Sequence, residues 1–282
     1  MTTETRPNGL GRSLRDWRTR RRVSQLELAT RAGTTQRYVS FIESGRSLPG
    51  RAMVVRIAES LEVPLRERNA LLLAAGYAPA YQESRLDDPR LAPVRAALTQ
   101  VMEAHHPYPA VIVDRYADLV ACNAAFTALV ATADPALLTP PVDVARLLLH
   151  PRGLAPRIVN LEEWAWHILD AMNTEAVRNP DDRLTQRAAE LARLVPERPS
   201  NPGPDYVGFA VPLRLRVPGS TEELRLLTTL TRFGTAADVT VAELKLEAFL
   251  PADARTAELL AEAAPAPTPA PAPAAAPRPD PR

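Results

Sequence analysis

One stretch limits the fold more than any other: Ser24 to Gly45, SQLELATRAGTTQRYVSFIESG. Ser24 is followed three residues later by Glu27, the spacing of a capping box that starts a helix. Leu28, Ala29 and Ala32 form the apolar side of that helix, and Gly33 is suited to end it because glycine takes a positive φ at little cost. Thr35 can cap a second helix only a few residues on. Two short helices joined by a tight glycine turn make a helix-turn-helix unit. In the second helix Val39 and Ile42 share the side that can pack on Leu28 and Ala32. Thr35, Gln36, Arg37, Ser40 and Phe41 are left towards the outer and N-terminal surface.

That outer set has a use that a merely solvated helix lacks. A glutamine can pair bidentately with an adenine edge, an arginine with guanine, and an exposed ring can meet a thymine methyl group. The pattern predicts a recognition helix over 35–44, with Gln36, Arg37, Ser40 and Phe41 as base readers. Candidates for phosphate contact surround it: Gln25 at the start of the supporting helix, Thr35 at the recognition helix N-terminus, and Arg46 and Arg51 beyond it. The first helix adds Arg12, Arg15, Arg18, Arg20, Arg21 and Arg22, also in reach of a backbone. Glu43, acidic within this basic zone, reads as an intradomain partner of an arginine or a helix-end anchor, not as a base reader. The charge balance agrees. Residues 1–80 hold 14 basic and 7 acidic residues, an excess of +7, whereas the remainder holds 20 and 26, an excess of −6. A polyanion partner is expected for the first part only.

Helical patterns recur at roughly 10–21, 25–32, 35–44, 50–62 and 65–75, giving an all-α five-helix domain over 10–77 after a flexible stretch at 1–9. Residues 78–92 change character and read as a linker. The end of the chain, 261–282, is almost wholly Ala and Pro, a composition that favours extended, solvated conformations and reads as a disordered tail.

The segment SQLELATRAGTTQRYVSFIESGRSLP resembles the DNA-binding domain of phage-repressor-type, XRE-family regulators, and the likeness continues through VVRIAESLEVPLRERNALL. It is carried by Ser24–Gln25, Leu28–Ala29, Gly33 and Glu43–Gly45. The resemblance implies binding to a double-stranded DNA operator, usually by a two-fold homodimer on a near-palindromic site. The family's base-edge positions match Gln36, Arg37, Ser40 and Phe41, and its early phosphate position matches Gln25. Many relatives carry a polar residue where Phe41 stands.

Residues 93–258 read as an α+β domain with an antiparallel sheet of about five strands and helices over one face. AVIVD and LVACN form a hairpin, and Asn123 can cap a helix starting at Ala124. Asn160 with Glu163 has capping-box spacing before an apolar helix at about 161–177, and another helix follows at 181–195. Alternation from Val207 to Val217 predicts a long strand, with two more from ELRLLTTLTRFG and VTVAELKLEAFL.

Residues 108–126, LLLHPRGL, NLEEWAWHIL and LTRFGTAADVTVAELKLEAFLPAD resemble the MmyB-like ligand-binding domain, described as PAS-like. The resemblance implies a small-molecule-responsive regulator whose ligand is a long-chain fatty acid or a similar apolar molecule. Trp164, Leu169, Met172, Phe209, Leu230 and Phe233 are suitable lining, and Arg157, His167 and Arg232 can meet a carboxylate. A fully packed dimerisation or protein-interaction domain without a ligand carries the same patterns.

Enzyme chemistry lacks a signature here. His105, His106, His150 and His167 form no metal-ligand spacing, no phosphate-cradling glycine motif is present, and Cys122 reads as a small buried residue. A single cysteine excludes an internal disulfide. No apolar run reaches the ~18 residues of a membrane span. The expectation is a soluble, cytoplasmic regulator with no cofactor, metal or membrane insertion.

Overall fold

The computed structural model describes residues 9–199, 203–234 and 236–264. Five helices come first: α1 (Gly9–Arg20), α2 (Gln25–Arg31), α3 (Gln36–Glu43), α4 (Arg51–Ser60) and α5 (Leu65–Ala74). There follow α6 (Ala92–Glu103), β1 (Ala110–Val113), β2 (Leu119–Cys122), α7 (Ala124–Leu129), α8 (Val144–Leu149), α9 (Leu161–Arg178) and α10 (Asp182–Ala192). The chain continues through β3 (Leu213–Arg216), β4 (Glu223–Arg232), α11 (Val239–Glu243), β5 (Lys245–Pro251) and α12 (Ala254–Ala263). The expected flexible stretch 1–9 meets α1 at Gly9, and the tail expected over 261–282 begins inside α12, which runs to Ala263; residues 1–8 and 265–282 lie outside the described residues. No helix among the described residues is long and apolar enough to cross a membrane.

The chain divides into two compact units. One comprises residues up to Arg85 with Ala171–Thr185 and Gly234–Ala242; the other comprises Leu86–Asp170, Gln186–Phe233 and the chain from Glu243. In the first unit Leu10, Leu14, Leu28, Val39, Ile42, Ile57 and Leu72 form one buried core. The local signals act as expected at the helix ends. Ser24 Oγ accepts from the Glu27 N–H at 3.1 Å, and Thr35 Oγ1 from the Tyr38 N–H at 3.2 Å. Gly33 takes φ +62°, with the next N–H, of Thr34, returning to the Ala29 carbonyl at 2.8 Å. Glu27 does not complete its capping box; it pairs with Arg31 one turn on at 2.5 Å. The segment expected to be a linker is held down. Asn69 Oδ1 accepts from the N–H groups of Ala80 and Tyr81, and Gln82 bridges to Asp238.

The second unit holds a five-stranded antiparallel sheet in the order β2-β1-β5-β4-β3. Helices cover both of its faces, not one. Leu98 and Met102 of α6 pack on Ala110, Ile112, Leu246 and Ala248. Phe126 of α7 stacks on Phe249, which points the other way from Ala248, at 6.1 Å between centroids. All four residues of β1 are buried, as a strand covered twice requires.

Three sequence expectations are corrected here. The strand expected over 207–217 shrinks to Leu213–Arg216, because Pro212 has no N–H for the ladder and the Val207 N–H turns back to the Ala210 carbonyl. The first part of VTVAELKLEAFL is the helix α11, started by Asp238 accepting from the Thr240 N–H at 2.9 Å. Asn160 does not cap α9. Its amide bridges to the strand side, donating to the Pro212 carbonyl at 2.8 Å and accepting from the Arg214 N–H at 3.1 Å. Helices α6 and α12 add to the elements the sequence predicted. Cys122 is half-buried in β2.

Candidate DNA-binding face and ligand pocket

The position of α3 is set by three contacts. Its Val39 and Ile42 are buried. At Gly11 of α1 the backbones come so close that a Cβ would stand 2.7 Å from the carbonyl oxygens of both Ile42 and Glu43. Glu43 then takes a bidentate bond from Arg18, at 2.6 and 3.0 Å, and a third from Gln25 Nε2 at 2.8 Å. The pair is sheltered, with side chains 15% and 6% exposed. Hydrogen bonding to Glu43 raises the Arg18 pKa above its ordinary value.

This network sorts the predicted DNA contacts. Glu43 is an arginine partner, as its place in a basic zone implied. Arg18 is consumed by it, and Arg21 donates to the Leu61 and Glu62 carbonyls, so neither guanidinium is free for phosphate. Gln25 is half-buried and tied to Glu43. Thr35, Gln36, Arg37, Arg46 and Arg51 are exposed, and Ser40 and Phe41 are half-exposed. Gln36, Arg37, Ser40 and Phe41 lie within one helix, with the Arg37 and Arg46 guanidiniums 5.2 and 5.9 Å from the centroid of the Phe41 ring. Gly11 and the arginine–phenyl stack were missed by the sequence reading. The i, i+4 spacing of Arg37 and Phe41 was the available signal for the stack.

The residues proposed for the ligand differ widely in exposure and in the elements that carry them. Trp164 and Leu169 are fully buried on α9, and Met172 and His167 are half-buried further along or between them. Burial lowers the His167 pKa, opposed by Asp170. Phe209 is 75% exposed and Leu230 49%. Arg232 is exposed at the end of β4, and Phe233 packs on the α6 side of the sheet.

Arg157 lines a cavity of about 410 Å³, bounded by α7, α12 and the turn after β3. Its wall is mainly apolar, from Ala125, Ala128, Leu129, Leu224, Leu259 and Leu260, with Glu262 the lining carboxylate. Arg157 follows α8 in a short 3-10 turn and is anchored by the next residues, since Ile158 bridges Leu215 and the Val159 N–H donates to the Arg214 carbonyl. Its guanidinium donates to the carbonyls of Leu129 (2.9 Å) and Arg216 (3.2 Å) and to Thr132 Oγ1 (3.4 Å). Every one of these acceptors is neutral, and Nη2 has no partner among the described residues. Burial lowers the Arg157 pKa. The far wall is fixed by α12, which Asp253 caps and Thr256 joins to the Arg225 N–H of β4. A second cavity of about 580 Å³ is more polar, but Arg187 there is bonded to Asp118 and Asp143, and Arg152 to Asp134.

A helix-turn-helix unit with an arginine-bearing outer face, followed by an α+β domain with an apolar cavity, defines a DNA-binding regulator with a ligand domain. The helix-turn-helix family model matches residues 14–68. The model for the MmyB-like transcription regulator ligand binding domain matches residues 94–263, more than half of the chain, and the chain belongs to that family. No curated protein matches it at a significant level. Both matches are to regulatory domains: the protein is a DNA-binding transcription regulator, not an enzyme.

Proposed function

We propose that the regulator reads a near-palindromic operator as a homodimer and that its ligand is a long-chain fatty acid or a similar apolar acid. On this reading Gln36, Arg37 and Ser40 meet base edges, while Gln25, Thr35, Arg46 and Arg51 contact phosphates. The ligand lies in the cavity beside α7 and α12, and Arg157 meets its carboxylate. The observation that carries the ligand reading is Arg157 itself: a half-buried cation with only neutral acceptors, at the edge of an apolar cavity. A buried charge without a counter-charge is costly, and a bound carboxylate would neutralise it. The cavity size falls within the usual range for small-molecule sites.

The test begins with native mass spectrometry of the protein purified from its own cells, which reports both oligomer and retained ligand. Delipidated protein is then titrated with fatty acids of increasing length and with the matching alcohols. Acids are expected to bind more tightly than alcohols, and Arg157→Met to remove that preference. Leu260→Arg, which puts a charge against the chain, should abolish binding of both. A chain that binds no acid overturns the ligand reading. Acids that bind without changing operator affinity or dimerisation leave a structural lipid, not a signal. A second reading, a protein-docking domain without ligand, draws on the exposed Tyr206, Val207 and Phe209. Retention of a partner chain with an empty cavity would favour it.

A further inference from the structure

Among the base readers expected on the outer face of α3, one is apolar and stands against two arginines. Phe41 is apolar, half-exposed, and already engaged. The Arg37 guanidinium lies 5.2 Å from its ring centroid and that of Arg46 lies 5.9 Å away. The backbone beyond α3 folds back on the same residue. The Arg46 N–H donates to the Phe41 carbonyl at 2.8 Å, the Ser47 N–H at 3.2 Å, and Ser44 Oγ at 3.3 Å. Arg37 and Arg46 are exposed and form no ion pair among the described residues.

We infer that Phe41 is a positioning residue: its ring holds the Arg37 fork and the Arg46 arm in one arrangement, so operator specificity depends on an aromatic face at position 41. The inference rests on the reading that α3 enters a DNA groove. An exposed arginine loses much rotamer freedom when it is fixed against a base or a phosphate. A π face beneath the guanidinium pre-orders it without competing for its hydrogen-bond donors, which stay directed outward. A carboxylate in the same place would occupy those donors and neutralise the charge. The carbonyl of Phe41 fixes the loop that carries Arg46, so ring and backbone act on the same arm.

The test uses the full chain and a duplex selected by the wild-type protein from a random library. Phe41→Tyr keeps the π face and should bind the operator within about twofold. Phe41→Leu and Phe41→Met keep apolar volume but lose the face. Each should weaken operator binding by roughly two- to fivefold per lost contact, with a smaller loss on scrambled duplex. Melting temperatures of the three variants identify any that fail to fold, and Phe41→Met stands in if Phe41→Leu does. In an Arg37→Ala/Arg46→Ala background, Phe41→Leu should have little further effect. An equal loss in that background would overturn the proposal. So would a Phe41→Leu chain indifferent to replacing operator thymines by deoxyuracil while the wild type is weakened, since the ring would then read a methyl group. Failure of the DNA reading itself looks different: Arg37→Ala would weaken operator and scrambled duplex equally.

Discussion

Removing the carboxylate of Glu43 tests directly how the recognition helix is held. Glu43 accepts three hydrogen bonds, two from Arg18 and one from Gln25, in a site where it is 6% exposed and Arg18 15%. Glu43→Ala leaves the Arg18 guanidinium with the Val23 carbonyl, 2.9 Å away, as its one remaining acceptor among the described residues. Removing one partner of a fully buried ion pair costs about 3–5 kcal/mol. Water reaches part of Arg18, so the expected loss is about 2–4 kcal/mol. Glu43→Gln keeps the shape and an acceptor oxygen but exchanges charged hydrogen bonds for neutral ones, at about 1–2 kcal/mol. Because the chain has two units, one global unfolding curve does not isolate this effect. Peptide-resolved hydrogen exchange does. Protection of α1–α3 should fall roughly 30-fold to several hundredfold in Glu43→Ala, while β1–β5 keeps its protection. Protection of α1–α3 unchanged within about threefold, or an equal loss in the sheet, would refute the reasoning.

Three further outcomes follow from single residues. Gly11→Ala places a methyl against two carbonyl oxygens that cannot swing away, so α1 must move off α3; thermal unfolding should report a loss of about 1–3 kcal/mol. Asn123, 1% exposed, accepts from the Ala110 and Phe126 N–H groups and donates to the Tyr108 carbonyl. Asn123→Ala strands all three and should cost about 2–4 kcal/mol in urea unfolding. His167 has a pKa lowered by burial, so the folded chain disfavours its proton. Its contribution is intact above the unfolded value of about 6.5 and is lost as pH falls from there towards the folded value. Comparing urea midpoints at about pH 7.5 and pH 5 should show a shallower decline in His167→Gln.

What could be read from the sequence was what neighbours in the chain determine. Ser24, Gly33, Thr35 and Asn123 act within a few residues of themselves, and each has its expected role. The outer face of α3 follows from helical period once Val39 and Ile42 are inside. What failed depends on distant partners. Glu43 was legible as a partner for some arginine, but nothing near Arg18 in the chain marks it as that arginine, 25 residues away, and Asn160 has cap spacing but is captured by β3, more than fifty residues on. AVIV at 110–113 held a signal that the expectation of helices over one face passed over, since a strand with one wet face would alternate. The cavity was the least legible feature. It is enclosed by α7, Arg157, the β3–β4 turn and α12, parts spread over more than 130 positions. Shape of that kind is absent from any local pattern, and Arg157 was reachable only as a cation set among apolar neighbours.

The same distinction gives the basic first segment its meaning. Its excess of +7 states how much charge there is, not where it can act. The fold removes part of the arginine set from use: Arg18 pairs with Glu43, Arg31 with Glu27, Arg66 with Glu83 and Arg68 with Glu59, while Arg21 is spent on carbonyls. Exposed and outside any ion pair among the described residues are Arg12, Arg15, Arg20, Arg22, Arg37, Arg46, Arg51 and Arg56. Only such side chains can displace counterions from DNA without first breaking a protein contact. At about 0.9 per neutralised phosphate, these eight together contribute at most about 7 to the log–log salt slope of non-specific binding. Arg37 and Arg46 belong to this free set and also share the Phe41 ring, so their charge is available while their direction is restricted. Free charge sets how strongly the domain is drawn to any duplex; restricted direction is what allows it to prefer one.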